Sequence, residues 1–282
     1  MAEQVTVNQY RGPDDLQAWS QLQPETAIEP DLPIVDSHHH LWNHERGRYF
    51  LSDFENALRK IHNIKATVFV ECSSEYRTTG PEAMRPVGET EFVAKLTSDS
   101  ANASSGATRV AAGIVSFADL RLGEDVGTVL DAHIAAGDSR FHGIRHAVPW
   151  DPVIGKYAYR NSPPGLLGDA TYRAGVAEME ARNLSFEAWV YHRQIPEVLE
   201  LARAFPGLTI ILNHLGGLLN IGSYREKAAE EFALWQRYMR ELASAENVVV
   251  KIGGLGMLTF GFETHLQPAP PDSSVLQKKW GR

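Results

Sequence analysis

The sequence predicts an α/β fold of the (β/α)8 TIM-barrel type, and three observations support that prediction. Short apolar runs alternate with helical patterns along the chain, which is typical of parallel strands joined by crossover helices. The predicted strands, such as 66–70, are apolar throughout, so both faces of the sheet should be covered. Polar or ionisable residues follow the strands, at the end where barrel enzymes carry their active sites.

Seven apolar runs are predicted to be strands, and five of the stretches between them are predicted to be helices. The predicted strands are 34–35, 66–70, 110–115, 141–145, 184–191, 208–212 and 248–252. The predicted helices are 89–95, 123–136, 170–182, 195–205 and 225–245.

An open, doubly wound sheet shows the same alternation of strands and helices, and it is the alternative architecture. A dinucleotide-binding sheet of that kind carries the pattern G-x-G-x-x-G directly after an early strand. The first strand of this chain runs instead into Asp36-Ser37-His38-His39-His40. The closed barrel is therefore favoured.

The chain is expected to consist of an outer arm, residues 1–32, and a barrel, residues 33–282. The arm contains scattered prolines and has little periodicity. After the seventh strand comes a loop over 256–271 and then a helix with Ser273 as its predicted N-cap. No eighth strand is predicted before Arg282, so the barrel is expected to be truncated at its C-terminus and poorly stable.

The composition restricts the class of partner. The 282 residues are 43% hydrophobic and 22% charged, as in a globular protein with a large core. The net charge of −8, without a long basic run, argues against nucleic acid and favours a small-molecule substrate. No apolar run reaches the roughly 18 residues of a membrane span, and no signal-peptide pattern is present. Cys72 is the single cysteine, which rules out an internal disulfide, and the cytoplasm is the expected compartment.

Histidines follow three of the predicted strands. His38 and His40 are two positions apart, so on a strand both imidazoles point to one side and can reach one ion. His192 follows the fifth strand and His214 the sixth, so the four histidines are expected to converge on one rim. The alternatives are a hydrogen-bonded polar pair at 38 and 40, and a turn histidine at 214 that is satisfied by backbone.

Several of these motifs together resemble the amidohydrolase superfamily, in its amidohydrolase 2 branch of lactonases and decarboxylases. The matching segments are Asp36-x-His38-x-His40, His192, Asn213-His214-Leu215-Gly216, 70–72, 141–146 and 249–255. The resemblance covers the chain from about residue 34 to its end. It implies a TIM-barrel, metal-dependent hydrolase that holds a divalent ion, Zn or Mn, at His38, His40, His192 and His214.

The chain departs from the superfamily pattern at the last strand. That pattern ends with an aspartate at the tip of strand eight, which acts as a metal ligand or general base. Asp272 lies in a loop and not at a strand tip, so it is given no such role. The resemblance therefore implies a chain that lacks the last β/α unit and its acid/base residue.

Three charged residues at strand ends have candidate roles of their own. Arg145 can hold a substrate carboxylate through paired N–H donors, and the alternative is a salt bridge to an acid such as Glu71. Glu71 can orient an imidazole by accepting its second N–H. Lys251 can stabilise an oxyanion or act in catalysis, whereas a lysine that closes a strand often reaches solvent along its stem.

The predicted function is hydrolysis of a lactone, or of a related ester or amide carbonyl, in a small acidic or sugar-derived substrate. The predicted catalytic residues are His38, His40, Arg145 and His214, and the ion would polarise the carbonyl and activate a bound water. Without an ion, the same histidines would act as general acid and base. A decarboxylase of the same branch and a catalytically inactive barrel that serves as a binding subunit are the alternatives, and homo-oligomer formation is left open.

Overall fold

The computed structural model describes residues 11, 13–44, 47–58, 62–101, 108–154 and 162–281. The strands are β1 (Pro33–His39), β2 (Trp42–His44), β3 (Gly47–Tyr49), β4 (Asn63–Val70), β5 (Arg109–Ser116), β6 (Phe141–Arg145), β7 (Ser185–Ala188), β8 (Ile210–Leu212) and β9 (Val248–Val250). The helices are α1 (Pro13–Ser20), α2 (Leu51–Leu58), α3 (Val87–Leu96), α4 (Ser98–Ala101), α5 (Val126–Gly137), α6 (Ala170–Ala181), α7 (Ile195–Ala204), α8 (Ala228–Leu242) and α9 (Ser273–Trp280). Within these ranges, no helix has both the length and the apolar character needed to cross a membrane.

Seven of the strands form one parallel sheet, in the order β1, β4, β5, β6, β7, β8 and β9. Each of the seven lies on a run that the sequence predicts, and α3, α5, α6, α7 and α8 lie on the predicted helices. The antiparallel hairpin of β2 and β3 is not predicted, because its strands are only three residues long. The fifth and seventh predicted runs extend beyond β7 and β9, whose last residues are Ala188 and Val250.

The sheet has the architecture of an incomplete (β/α) barrel. β1 and β9 are its edges, and the described residues place no strand between them. Side chains at both edges face solvent, since Val35 on β1 is 61% exposed and Val249 on β9 is 52% exposed. The barrel-type α/β fold is therefore confirmed, while the division into an arm over 1–32 and a truncated barrel over 33–282 stays a prediction.

The N-terminal segment contacts the segment before α9. The Trp19 indole N–H donates to the Gln267 carbonyl oxygen at 2.8 Å. Asp272, rather than the predicted Ser273, is the N-cap of α9, and its carboxylate accepts from the Val275 N–H at 2.8 Å. An aspartate suits this position because its short side chain satisfies an N–H that lacks a helical partner.

A single large apolar cluster joins the sheet to helices α3, α5, α6 and α7. Phe69, Ile114, Ile144 and Phe186, on four adjacent strands, are fully buried in it. Burial of each such side chain stabilises the fold by about 1.5–3 kcal/mol. This packing fixes the strand ends, from which the polar side chains described next project.

Candidate active site

His38 lies at the centre of a polar cluster at the carboxyl ends of the sheet strands. Its Nε2 is 3.2 Å from a guanidinium nitrogen of Arg145, at the end of β6. Its Nδ1 is 3.4 Å from Nζ of Lys251, the residue after β9. The ring of His214, which follows β8, is 4.6 Å from the His38 ring between centroids. Parallel strands bring their carboxyl ends to one edge, so residues over 200 positions apart meet here.

Arg145 makes one of the two contacts considered for it from the sequence. Its Nε donates to the Glu71 carboxylate at 3.0 Å, and both side chains are buried, 11% and 1% exposed. The salt bridge considered as the alternative reading of Arg145 is thus present, and the same guanidinium also reaches His38. Glu71 orients the guanidinium, which leaves a positively charged group aimed into the cluster.

Lys251 does not reach solvent along its stem, which corrects the alternative considered for it from the sequence. Its side chain is 9% exposed and is paired with the buried Glu187 carboxylate at the end of β7. The second oxygen of Glu187 accepts from the Asn213 side-chain amide at 3.0 Å. Burial lowers the pKa of Lys251, while the Glu187 carboxylate opposes that shift.

Glu187 was missed by the sequence reasoning, although a signal for it was present. It is the one charged residue of Ser185–Ala188, inside a run that carries no other charge. A carboxylate in a strand buried on both faces needs a partner, and here that partner is a lysine 64 positions further along the chain. A charge that interrupts an apolar strand close to its carboxyl end is therefore a usable sign of a site residue.

His40 is held in one tautomer by backbone. Its Nδ1 is 2.7 Å from the Val70 carbonyl oxygen, which can only accept, so Nδ1 carries the proton. The Nε2 lone pair of the neutral ring then remains available. Burial, with the nearby Arg145 charge, lowers the pKa of His40 to about 3. The same two causes lower the pKa of His38.

His214 packs against a glycine that admits no side chain. A Cβ at Gly254 would lie 2.5 Å from Cγ of His214, so the ring occupies the space a larger residue would need. Its Nδ1 is buried without a hydrogen-bond partner among the described residues. Burial lowers the pKa of His214 to about 4, assisted by the charges of Arg145 and Lys251. The imidazole is consequently neutral at neutral pH.

His192 has partners of its own. It is completely buried, its Nε2 is 2.8 Å from the Glu231 carboxylate on α8, and its Nδ1 is 3.3 Å from the Leu219 N–H. The structure therefore gathers His38, His40, His214 and Arg145 in one neighbourhood, while both ring nitrogens of His192 are engaged elsewhere. The catalytic and metal-binding roles given to these residues stay predictions.

The arrangement does not fit a resident divalent ion. In the described ranges, no group of three or more His, Cys, Asp and Glu side chains is placed to hold a metal. His38 lies between the side chains of Arg145 and Lys251, and cationic groups there repel a divalent cation.

Comparison with known proteins now identifies the family. A family model described as amidohydrolase matches residues 35–277. The chain belongs to the amidohydrolase family. The superfamily resemblance inferred from the histidine motifs is thus confirmed, and the protein is a hydrolase by family.

Two curated relatives resemble this amidohydrolase over most of its length. An uncharacterised protein of Sinorhizobium fredii, y4mH, is 32% identical over 80% of this chain and 74% of its own. An L-fucono-1,5-lactonase of Burkholderia multivorans is 24% identical over 78% of this chain and 68% of its own.

A solved structure shares the fold. It is an amidohydrolase of Burkholderia multivorans with bound zinc, 22% identical, with a TM-score of 0.60 over 87% of this chain and 76% of that one. This likeness supports the barrel-type fold over most of the chain. The zinc belongs to that protein.

Proposed function

We propose that this amidohydrolase opens a lactone ring in a small acidic or sugar-derived substrate. The observation that carries the proposal is the convergence of neutral imidazoles and two cationic side chains, Arg145 and Lys251, around His38. Hydrolysis of an ester needs a proton acceptor for water and donors for the oxyanion that develops on the carbonyl oxygen. The similarity to L-fucono-1,5-lactonases of two Burkholderia species supports a lactone as the ester.

The proposed mechanism assigns each group one task. Arg145, oriented by Glu71, binds the carboxylate or polarised oxygen of the substrate. His40 accepts a proton from the attacking water through its Nε2 lone pair. Lys251, held by Glu187, donates to the oxyanion.

The bond changes follow from those tasks. The water oxygen bonds to the carbonyl carbon, and the ring C–O bond then breaks. His40 returns the proton it accepted to the departing ring oxygen, and His214 donates a hydrogen bond to that oxygen through the N–H of its neutral ring. The product is an open hydroxy acid whose carboxyl proton is released at neutral pH. The low pKa of His40, about 3, makes its proton acceptance the weakest step of this scheme. A bound anionic substrate would raise that pKa, because it offsets the Arg145 charge.

The proposal is tested by hydrolysis of a lactone panel. L-fucono-1,5-lactone, a neutral lactone and an acidic lactone are each mixed with the protein, and proton release is followed with a pH indicator. We expect turnover of at least one lactone above the spontaneous rate. Release of CO2 from carboxylated analogues without lactone opening would favour the decarboxylase. Saturable binding of lactones without any turnover would favour the inactive binding barrel.

Family membership and the zinc in a structural relative favour a bound ion, Zn or Mn, at His38, His40, His192 and His214. The side chains described above do not fit such an ion, so the ion stays a prediction from the family resemblance. Metal analysis of the purified protein, together with turnover before and after chelation, tests it. Zinc or manganese at one ion per chain, with turnover lost on chelation, would support it.

The cytoplasm as the compartment and a homo-oligomer as the assembly are likewise proposals. Cell fractionation tests the first, and light scattering tests the second.

A further inference from the structure

The loop that carries His214 has an unusual backbone. His214, Leu215, Gly216 and Gly217 all have positive φ, between 51° and 75°. Glycine adopts this conformation freely, but for His214 and Leu215 it costs free energy. Such a backbone persists only where surrounding contacts hold it, so the contacts of this loop show which residues maintain the position of His214.

Three residues outside the loop, His192, Trp235 and Lys251, restrain it through four hydrogen bonds. The His192 N–H donates to the Gly217 carbonyl oxygen at 3.2 Å, and the Leu219 N–H donates to the His192 ring at 3.3 Å. The Trp235 indole N–H, from α8, donates to the Leu215 carbonyl oxygen at 2.7 Å. The Leu215 N–H in turn donates to the Lys251 carbonyl oxygen at 3.1 Å.

Close packing against the loop after β7 adds a further restraint. A Cβ at Gly217 would lie 2.3 Å from the Val190 carbonyl oxygen, so the two loops touch backbone to backbone. Val190 directly precedes the Tyr191-His192 segment, which places the His192 ring beside Leu219. The loop of His214 is therefore seated on the segment that carries His192.

The tautomer of His192 follows from its donors and acceptors. A backbone N–H can only donate, so Nδ1 of His192 accepts from Leu219 and Nε2 carries the proton of the neutral ring. Nε2 then donates to the Glu231 carboxylate at 2.8 Å. Arg193 fixes that carboxylate through two further contacts, at 2.6 and 3.1 Å. Each ring nitrogen thus has a partner, and neither retains a lone pair for an ion.

We propose that His192 is a positioning residue that holds the His214 loop, and that it is not a metal ligand. Together with Trp235 it forms a clamp, defined as the two side chains that bind the loop from the segment after β7 and from α8. Its effect on catalysis rests on the proposed function, while its hydrogen bonds can be tested without any substrate. The clamp explains why His192 is buried after a strand end while its ring nitrogens bond to Leu219 and Glu231 and not to the region of His38, His40 and His214.

The first test is NMR of protein labelled with ¹⁵N in its histidine rings, with and without one equivalent of zinc. We expect a protonated Nε2 and an acceptor Nδ1 at His192, with neither signal changed by zinc. A shift of either His192 ring nitrogen to the range of zinc-bound imidazole would overturn the proposal. This result does not depend on whether any lactone is hydrolysed.

The second test compares His192→Asn, Trp235→Phe and a matched control, His133→Gln. His133 is a fully buried histidine whose two ring nitrogens are hydrogen-bonded to Thr90 and Phe117, neither of which belongs to the His214 loop. We expect hydrogen exchange of the Leu215 amide to rise about tenfold or more in the two clamp variants and to stay unchanged in the control. Unchanged exchange in both clamp variants would contradict the clamp.

The third test uses kinetics and zinc content. If a lactone is turned over, kcat should fall about tenfold in His192→Asn and in Trp235→Phe, and KM should change little. The double variant should lose little more kcat than either single variant, because the two side chains act as one unit. Loss of zinc from His192→Asn alone, with full zinc retained in Trp235→Phe, would overturn the proposal in favour of a ligand. If no lactone is hydrolysed, the proposed function is wrong. The NMR and hydrogen-exchange results still decide whether His192 holds the loop.

Discussion

Two groups of histidines in this protein differ in what surrounds their ring nitrogens. His38, in the polar cluster, has Arg145 and Lys251 within 3.4 Å, and both of these side chains are donors when charged. His133 and His192, outside the cluster, each have one donor and one acceptor, which satisfies a neutral imidazole completely. A neutral His38 ring carries one N–H, which must face one of these two donors, whereas His133 and His192 are satisfied at both ring nitrogens.

This difference teaches that the position of a histidine at a strand end does not by itself define its role. His192 and His214 both follow parallel strands, yet His192 binds the loop that carries His214, and His214 contacts His38 in the cluster. Completeness of hydrogen bonding separates them, since the buried Nδ1 of His214 has no partner in the described residues. Unsatisfied polar atoms in a buried site are where a substrate or water can add a bond.

The largest effect is expected from the centre of the cluster. His38→Ala should reduce lactone turnover about 1,000-fold, because it removes the ring that contacts both Arg145 and Lys251, the two groups that bind the substrate oxygens. The far-ultraviolet circular dichroism should stay unchanged, because the residue lies at the end of the sheet and not in the apolar layer. His142→Ala, at an exposed histidine on β6, is the control and should keep full activity. Equal activity of His38→Ala and the parent protein would break the distinction between the two groups.

The next effect concerns stability. Glu187→Gln should lower the free energy of unfolding by roughly 3–5 kcal/mol, since it leaves a buried lysine without its counter-charge. Glu263→Gln removes the partner of Arg225 in a pair that is about half exposed, and should cost less than about 0.5 kcal/mol. Urea denaturation measures both. Similar losses in the two variants would mean that burial does not distinguish these pairs.

A pH titration sharpens the description of the framework histidines. Burial lowers the pKa of His133 to about 4, from about 6.5 in the unfolded chain. Between these values the unfolded state binds more protons, so the stability contributed is present above about pH 6.5 and is lost as the pH falls toward 4. His133→Gln should remove about 3 kcal/mol of that acid-induced loss, measured by unfolding at pH 7 and pH 4.5. An unaltered pH slope would show that the ring is already charged in the fold.

The smallest effect is expected at Arg145. Arg145→Lys should raise KM for an acidic lactone about tenfold, with a smaller change in kcat, because lysine cannot bind Glu71 and a substrate carboxylate in the planar, paired manner of arginine. A neutral lactone should show no such rise in KM. A loss confined to kcat for both lactones would assign Arg145 to the transition state and not to substrate binding.

The seven strands and the family could be predicted from the sequence because both depend on local patterns. Continuous apolar runs such as 110–115 predict β5, and the spacing of His38 and His40 predicts that they share a side of β1. The contact of Arg145 with Glu71 was one of two alternatives that the sequence allowed, and the structure shows that one guanidinium makes this contact and also reaches His38.

Only the tertiary structure decided which side chain each buried charge meets. Glu187 and Lys251 are 64 positions apart, and His192 and Glu231 are 39 apart, so no local pattern joins them. The strand order places β7 and β9 on either side of β8, which brings the first pair together at the strand ends. The packing of α8 brings Glu231 to His192. A buried ionisable group must find a partner, but which partner it finds depends on the packing of distant elements. For that reason the sequence by itself determined the strands, the family and the candidate histidines, and the tertiary structure alone separated His192 from the other three.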